Sequence, residues 1–194
     1  MSKCLICSDN FNPFVDFGRM PIANAFSSKE ELINEYTFAM KVGFCEKCKM
    51  VQLVEQPDRE KMFHDNYAFF SSTSNYMINH FNNFASSVIS LQNLNVNSFV
   101  VEVGCNDGIM LQSFLSSKIP CLGVEPSQNV ANVAMEKGIK VITEFFDQPL
   151  AQKISKMHQK ADAILSANVM CHIPYIHSIY DGVKTLLKDD GVFI

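Results

Sequence analysis

The stretch Phe99-Val100-Val101-Glu102-Val103-Gly104-Cys105-Asn106-Asp107-Gly108 decides the fold. Its first five residues are apolar apart from Glu102, as in a strand buried on both faces, and they run into a glycine turn. A helix is expected next, with its free N–H groups facing whatever lies at the turn. Downstream the same unit repeats, since short apolar runs at 121–125, 140–143, 163–166 and 192–194 alternate with helical patterns. Ser127 is placed to cap one helix and Gly138 to end it in a left-handed conformation. Asp147 with Pro149 resembles an N-cap and first turn, before the inward Leu150, Ile154 and Met157. Pro174 opens another helix, with Ile176, Ile179, Val183 and Leu186 inward and Gly182 costing about 1 kcal/mol relative to alanine. Alternating β and α units predict an α/β fold. The expected architecture is a doubly wound, Rossmann-like sheet of five parallel strands with helices on both faces.

Upstream, Met77, Phe81, Phe84, Val88 and Leu91 recur at 4-3-4-3 spacing, which predicts a helix over 75–92 with one apolar face. Before residue 65 the composition shifts. Four of the seven cysteines lie there, residues 37–44 and 50–54 run as short strands, and a brief helix is expected over 58–63 after Pro57. The chain thus divides into a small β-rich head (1–66), a helical connector (67–97) and an α/β domain (98–194).

Within the head, Cys4-Leu5-Ile6-Cys7 and Cys45-Glu46-Lys47-Cys48 form two CxxC pairs. A two-residue gap lets both thiolates of a pair face one ion, and two pairs complete a tetrahedral set that suits Zn²⁺. Four protein ligands leave no open position, so the expected role is structural, with iron as the alternative metal. A head this small cannot bury a large core, and a metal supplies what packing cannot. A redox dithiol is a single pair at a strand-to-helix junction and fits two knuckles poorly. Lys3, Lys47 and Lys49 are placed to offset the charge of four thiolates. Cys105, Cys121 and Cys171 fall in or beside strands and are expected as small buried apolar residues, with pocket lining as the alternative for Cys105 and Cys171.

The glycine turn discriminates between cofactors. Glu125 ends the second strand, where dinucleotide-type folds place an acid against ribose hydroxyls. Dinucleotide binding calls for G-x-G-x-x-G, but Asn106 and Ile109 occupy its second and third glycine positions. The pattern instead fits E/D-x-G-x-G-x-G, the turn that binds S-adenosylmethionine, with Asn106 for the central glycine and Glu102 as the leading acid. A carboxylate at Glu102 suits the cationic methionine end of that cofactor.

Taken together, these segments resemble the zinc-containing C-methyltransferases that act on nucleotide-linked deoxysugars and make branched sugars such as tetronitrose. The matching residues are Cys4-x-x-Cys7, Cys45-x-x-Cys48 with Met50-Val51-Gln52-Leu53, and Met62-Phe63-His64 with Tyr67 and Ser71-Ser72. They continue as Val101 to Leu111, Gly123-Val124-Glu125-Pro126-Ser127 and Cys171-His172-Ile173-Pro174-Tyr175. The resemblance implies methyl transfer from S-adenosylmethionine to C3 of a 4-keto sugar nucleotide. The ketone acidifies the C3 proton, a base removes it, and the stabilised enolate carbon attacks the sulfonium methyl.

By the same resemblance His172 contacts or polarises the sugar carbonyl and Tyr67 faces the substrate. Glu102, Gly104, Asn106, Gly108 and Glu125 bind the cofactor, Phe146 and Asp147 bracket its adenine, and Asn168 lines its methionine end. The zinc ligands are Cys4, Cys7, Cys45 and Cys48. His64 and His80 are expected to be structural, and His158 and His177 to face solvent from helices. Family members continue beyond the fifth strand, where this sequence stops. The missing part of the catalytic wall is therefore expected from a C-terminal part of the enzyme or from a partner chain. The alternative is a zinc- and cofactor-binding accessory module without turnover.

Composition agrees with a small-molecule enzyme. Apolar residues make up 47% of the 194, too many for a disordered chain, and the net charge of −4 disfavours a nucleic-acid partner. No apolar run approaches the ~20 residues that cross a bilayer, and Met1-Ser2-Lys3-Cys4 opens no signal peptide, which points to the cytoplasm and to no membrane partner.

Overall fold

Hydrogen bonding between short, irregular strands shapes the amino-terminal part of the computed structural model, which describes residues 2–23 and 25–194. Strands β1 (Ser2–Lys3), β2 (Asn10–Pro21), β3 (Thr37–Phe44) and β4 (Val51–Leu53) form an antiparallel sheet in the order β1-β2-β3-β4. β3, β4 and the short helix α1 (Arg59–Met62) lie close to their expected positions, with Asp58 capping α1 through the Glu60 N–H at 3.0 Å. The long β2 was not expected. It contains Pro13 and Gly18, and its pairing with β3 slips at Pro13/Val15 and Asp16/Arg19, so it shows no clean alternation. The buried core of this sheet is Cys4, Phe11 and Cys45, with Cys7, Cys48 and Val54 against it. Four of those six residues are cysteines, and Phe38 of β3 is buried as well.

The chain forms two units, Met1–Ala68 with Pro174–His177, and Phe69–Ile173 with Ser178–Ile194. In the second, α2 (Asn75–Leu91) buries Phe81, Ala85 and Val88 against Val100, Met110 and Phe114, whereas Leu91 is exposed. There follow β5 (Val100–Val103), α3 (Leu111–Ser116), β6 (Cys121–Val124), α4 (Gln128–Glu136), β7 (Val141–Ile142) and α5 (Gln148–Met157). β8 (Ala161–Leu165), α6 (Ile176–Leu186) and β9 (Leu187–Phe193) complete the order.

All five strands of this sheet pair in parallel, in the order β7-β6-β5-β8-β9. The order reverses at β5. Right-handed crossovers then put the helices of the two directions on opposite faces, and a crevice opens beyond the carboxyl ends of β5 and β8. That crevice edge carries the glycine turn.

Local chemistry accounts for most boundaries. Asp147 Oδ1 accepts the Leu150 N–H at 2.9 Å, with Pro149 in the first turn of α5. Gly138 takes the expected positive φ of 88° after α4. Ser127 holds the N-cap position of α4, but its side chain makes no capping bond. α6 runs unbroken through Gly182, where a Cβ would come within 3.1 Å of both the Asp147 carbonyl oxygen and the Phe146 ring. Close approach of the 146–147 backbone explains a glycine that helix propensity disfavours. β9 starts five residues before the expected 192.

Gly123, at the centre of β6, tests this packing. An added Cβ would lie 2.4 Å from Cys105 Sγ. Gly123→Ala is expected to lower the urea unfolding free energy by about 1–3 kcal/mol, and Cys105→Ala in the same chain to recover part of that loss. An unchanged unfolding midpoint would contradict the packing described.

Candidate functional site

Two turns of the same shape form the sulfur cluster. In the first, Ser8 N–H returns to the Cys4 carbonyl (2.9 Å) and Cys4 N–H to that of Asp9 (2.8 Å). In the second, Lys49 N–H returns to Cys45 (2.7 Å) and Cys45 N–H to Met50 (2.9 Å). The residue after each knuckle is left-handed, Ser8 at φ 59° and Lys49 at φ 65°. Gln52 Oε1 accepts the Leu5 N–H at 3.0 Å and ties β4 to the first knuckle.

The four Sγ atoms all lie within 4.8 Å of one another, with Cys4–Cys48 and Cys7–Cys45 at 3.5 Å. A tetrahedron with Zn–S bonds of about 2.3 Å has edges of about 3.8 Å, so the cluster fits such an ion. Its electrostatics call for a cation. Burial opposes ionisation of Cys4, but the N–H groups of Cys7 and Ile6 bring its pKa down to about 7. Cys48 is driven up to about 12 despite the Met50 N–H, by burial and by the other three sulfurs. One thiolate forms readily and the last is resisted, as expected of like charges crowded without a counter-ion. Of the three lysines considered, Lys47 pairs with Asp9 (3.3 Å) and Lys49 lies over the Phe44 ring (5.9 Å).

At the crevice, Gly104 (φ 71°), Asn106 (φ 49°) and Gly108 (φ 77°) are all left-handed. Asparagine tolerates this region better than other side-chain-bearing residues, so Asn106 keeps the backbone path of a central glycine. A Cβ on Gly104 would meet Val169 at 2.4 Å, and one on Gly108 would meet Ile139 at 2.3 Å. The turn closes on the second strand. Glu125 Oε2 accepts the Asn106 N–H (3.0 Å) and Oε1 the Ser127 N–H (2.9 Å). Each oxygen keeps a lone pair for a ligand hydroxyl. The helix expected to aim its N–H groups at the turn begins only at Leu111 and is six residues long. The turn backbone and its acids therefore make this edge.

Three carboxylates are buried here, Glu102 (3% exposed), Glu125 (5%) and Asp107 (1%). Burial, and then the charges of Glu125 and Asp107, push the Glu102 pKa well above its usual value. Burial also raises Glu125, against the N–H groups of Ser127 and Asn106 that favour its charge. Glu102 Oε2 and Asp107 Oδ1 have no hydrogen-bond partner among the described residues. A buried carboxylate oxygen left in this way suits a cationic donor. Cys105 beside it is held as a neutral thiol by burial and by Glu102.

Other expected residues are placed differently. Phe146 is packed inside against α6, so its ring is not at an open edge. Asp147 is engaged as the cap of α5. Asn168 (φ 58°) and His172 are exposed on the segment after β8, His172 within a 3-10 turn over Met170–His172. Tyr67 belongs to the first unit and packs on Phe63, ring centroids 5.5 Å apart. Both ends of the Asn106 amide are engaged, Oδ1 by the Ser71 N–H (2.9 Å) and Nδ2 by the Phe69 carbonyl (3.0 Å). His158 stacks on Phe99 at 5.3 Å, and Cys171 is exposed, both contrary to expectation. Asp107, Ser72 and Lys137 were assigned no role, although Asp107 and Ser72 stand in the quoted motifs. Among the described residues no helix is long and apolar enough to cross a membrane.

Comparison with known proteins bears on both units. Residues 4–63 match the family described as "Putative zinc binding domain", and residues 78–194 match the family "Methyltransferase domain". The chain is 28% identical over 195 aligned positions to C-methyltransferase NovU of Streptomyces niveus, covering 100% of this chain and 46% of that protein. It is 27% identical over 99 positions to a ubiquinone biosynthesis O-methyltransferase of Glaesserella parasuis, covering 48% of this chain and 42% of the relative. The matched stretch is thus less than half the length of either relative. The fold is shared with a crystal structure from Methanococcus maripaludis described as a "putative s-adenosyl-l-methionine-dependent methyltransferase" (TM-score 0.50, 13% identity, 63% of this chain and 57% of that one). With 117 of its 194 residues inside the second match, the chain belongs to the methyltransferase-domain family.

Proposed function

We propose that this chain is the zinc-headed, cofactor-binding part of an S-adenosylmethionine-dependent C-methyltransferase acting on a nucleotide-linked keto-deoxysugar. The observation that carries the cofactor assignment is the buried acid cluster at the glycine turn, above all Glu102 with its unmatched oxygen. A dinucleotide brings a pyrophosphate, for which a buried carboxylate such as Glu102 is no partner. S-adenosylmethionine brings an ammonium and a sulfonium, which such a carboxylate attracts. When bound, the cofactor supplies an activated methyl group. The likeness to a C-methyltransferase over the whole chain supports carbon as the acceptor.

The chain's own residues divide the work as follows. Glu102 takes the ammonium, Glu125 accepts the ribose hydroxyls while fixing the turn, and Gly104 and Gly108 let the backbone approach. Asn168 lines the methionine side, and Asp147 with the wall around Phe146 bounds the adenine. His172 polarises the sugar ketone, which stabilises the enolate formed on loss of the C3 proton, and Tyr67 faces the substrate. The four cysteines hold zinc as a structural staple with no position left for a substrate.

Calorimetry tests the cofactor. S-adenosylhomocysteine and S-adenosylmethionine are expected to bind and NAD⁺ to bind far more weakly. Tighter NAD⁺ binding would overturn the assignment. Glu102→Gln should weaken binding by about 10- to 100-fold, the worth of a charge-assisted bond. Because the free protein holds protons on Glu102 and Glu125 more tightly than the usual 4.5 implies, acid neutralises both carboxyls early. Affinity should therefore keep rising with pH above the ordinary carboxylate range, and Glu102→Gln should flatten that rise. In calorimetry with S-adenosylhomocysteine present, His172→Ala should weaken binding of a nucleotide-linked keto-deoxysugar and leave S-adenosylhomocysteine affinity unchanged; in an enzyme that carries this part, it should also lower methyl incorporation.

Elemental analysis tests the head. About one zinc per chain is expected, and Cys45→Ser should lose it and expose 2–63 to protease while the sheet of β5–β9 stays protected. A metal-free chain with an intact head would contradict the structural role.

A further inference from the structure

Residues Phe69–Thr73 have little regular structure, only a 3-10 turn over Ser71–Thr73, and the hydrogen bonds described for Ser71 and Ser72 run to distant residues. The Ser71 N–H donates to Asn106 Oδ1 (2.9 Å), and the Ser72 N–H to Asp107 Oδ2 (2.9 Å). The Ser72 hydroxyl also donates to Asp107 Oδ2, and Asn106 Nδ2 donates to the Phe69 carbonyl (3.0 Å). Lys137, at the end of α4, closes the arrangement. Its Nζ reaches the Asp107 carbonyl oxygen (2.7 Å), Ser72 Oγ (3.0 Å) and Asp107 Oδ2 (3.7 Å). The Lys137 side chain is 22% exposed and that of Asp107 1%, so this ion pair is largely withdrawn from water. Removing one partner would leave the other as an uncompensated buried charge.

The two residues that hold the segment, Asn106 and Asp107, stand between Gly104 and Gly108. They therefore cannot serve the segment without also fixing the turn. We propose that Asp107 and Lys137 are positioning residues that clamp Phe69–Thr73 onto the cofactor turn, so that cofactor binding and the ordering of this segment are one coupled equilibrium. Asp107 is bound to the clamp through Oδ2, whereas the bonds described give Glu102 no part in it. Lys137 neutralises the first, leaving the field of Glu102 and Glu125 for the cation. By linkage, whatever tightens the turn must order the segment, and loosening the segment must weaken the ligand. The inference rests on the S-adenosylmethionine assignment above.

The test combines calorimetry with amide hydrogen exchange on the full chain, using S-adenosylhomocysteine as the probe. Lys137→Met is expected to weaken binding by about tenfold, and Lys137→Arg to restore most of it. In the wild-type chain the ligand should slow exchange at the Ser71 and Ser72 amides, and in Lys137→Met that protection should be largely lost. Ser72→Ala removes a single hydroxyl and gives the same comparison if Lys137→Met does not fold. A wild-type chain that fails to bind S-adenosylhomocysteine would defeat the cofactor assignment itself. A wild-type chain that binds, with Lys137→Met or Ser72→Ala binding equally well and showing equal protection at Ser71 and Ser72, would overturn the clamp alone.

Discussion

The carboxylate of Glu125 holds the ends of two neighbouring strands in one place. Its oxygens take the N–H groups of Asn106, after β5, and Ser127, after β6. Together with the Gly104 and Cys105 N–H groups, which both donate to the Val124 carbonyl (2.7 and 3.2 Å), those bonds keep the left-handed run at Gly104, Asn106 and Gly108 in register with β6. The position of the other acids follows from that closure. Glu102 lies on β5 and Asp107 in the turn, so fixing the turn brings three carboxylates into a buried group. Such a group is costly alone, and the protein relieves it in two ways. Lys137 pairs with Asp107, and Glu102 stays high in proton affinity, while one oxygen of each, Asp107 Oδ1 and Glu102 Oε2, is short of a donor among the described residues. A site held in that state is poised for a cationic ligand, and the same burial that destabilises the charge supplies the affinity.

The head follows a different economy. Its sheet is bulged, and the sulfur cluster packs beside Phe11 and Val54. The two knuckles repeat one backbone shape, down to the left-handed residue after each pair. The ionisation of the cluster's thiols is pulled in opposite directions, Cys4 down and Cys48 up, and a cation at the centre would relieve that conflict. In small domains of this kind metal binding and folding are commonly one equilibrium.

The sequence was most legible where one physical rule dominated. Parallel strands buried on both faces read as apolar runs, so β5 to β8 were found within a few residues. The CxxC spacing announced the metal set because few other chemistries need it. Where two rules competed, legibility fell. β2 was hidden by Pro13, Gly18 and two register slips, and the start of β9 by Lys188-Asp189-Asp190. Ser127 has the right identity for a side-chain cap, but the structure uses its N–H for Glu125 instead. Asn106 was expected at the ligand, and its backbone is indeed in the turn, yet its amide serves Phe69 and Ser71. The clamp was invisible because its partners lie 30 to 65 residues apart and none is unusual by itself. Only the fold turns a surface-type lysine and a serine into parts of the cofactor edge.

The protonation state of Glu102 tests the central claim most directly, followed as the ¹³C shift of its side-chain carboxyl and assigned by the loss of that signal in Glu102→Gln. The account predicts a carboxyl that titrates well above 4.5 in the free chain and moves downward when S-adenosylhomocysteine brings its ammonium to Oε2. A carboxyl that titrates in the ordinary range, or one that the ligand leaves unmoved, would contradict it.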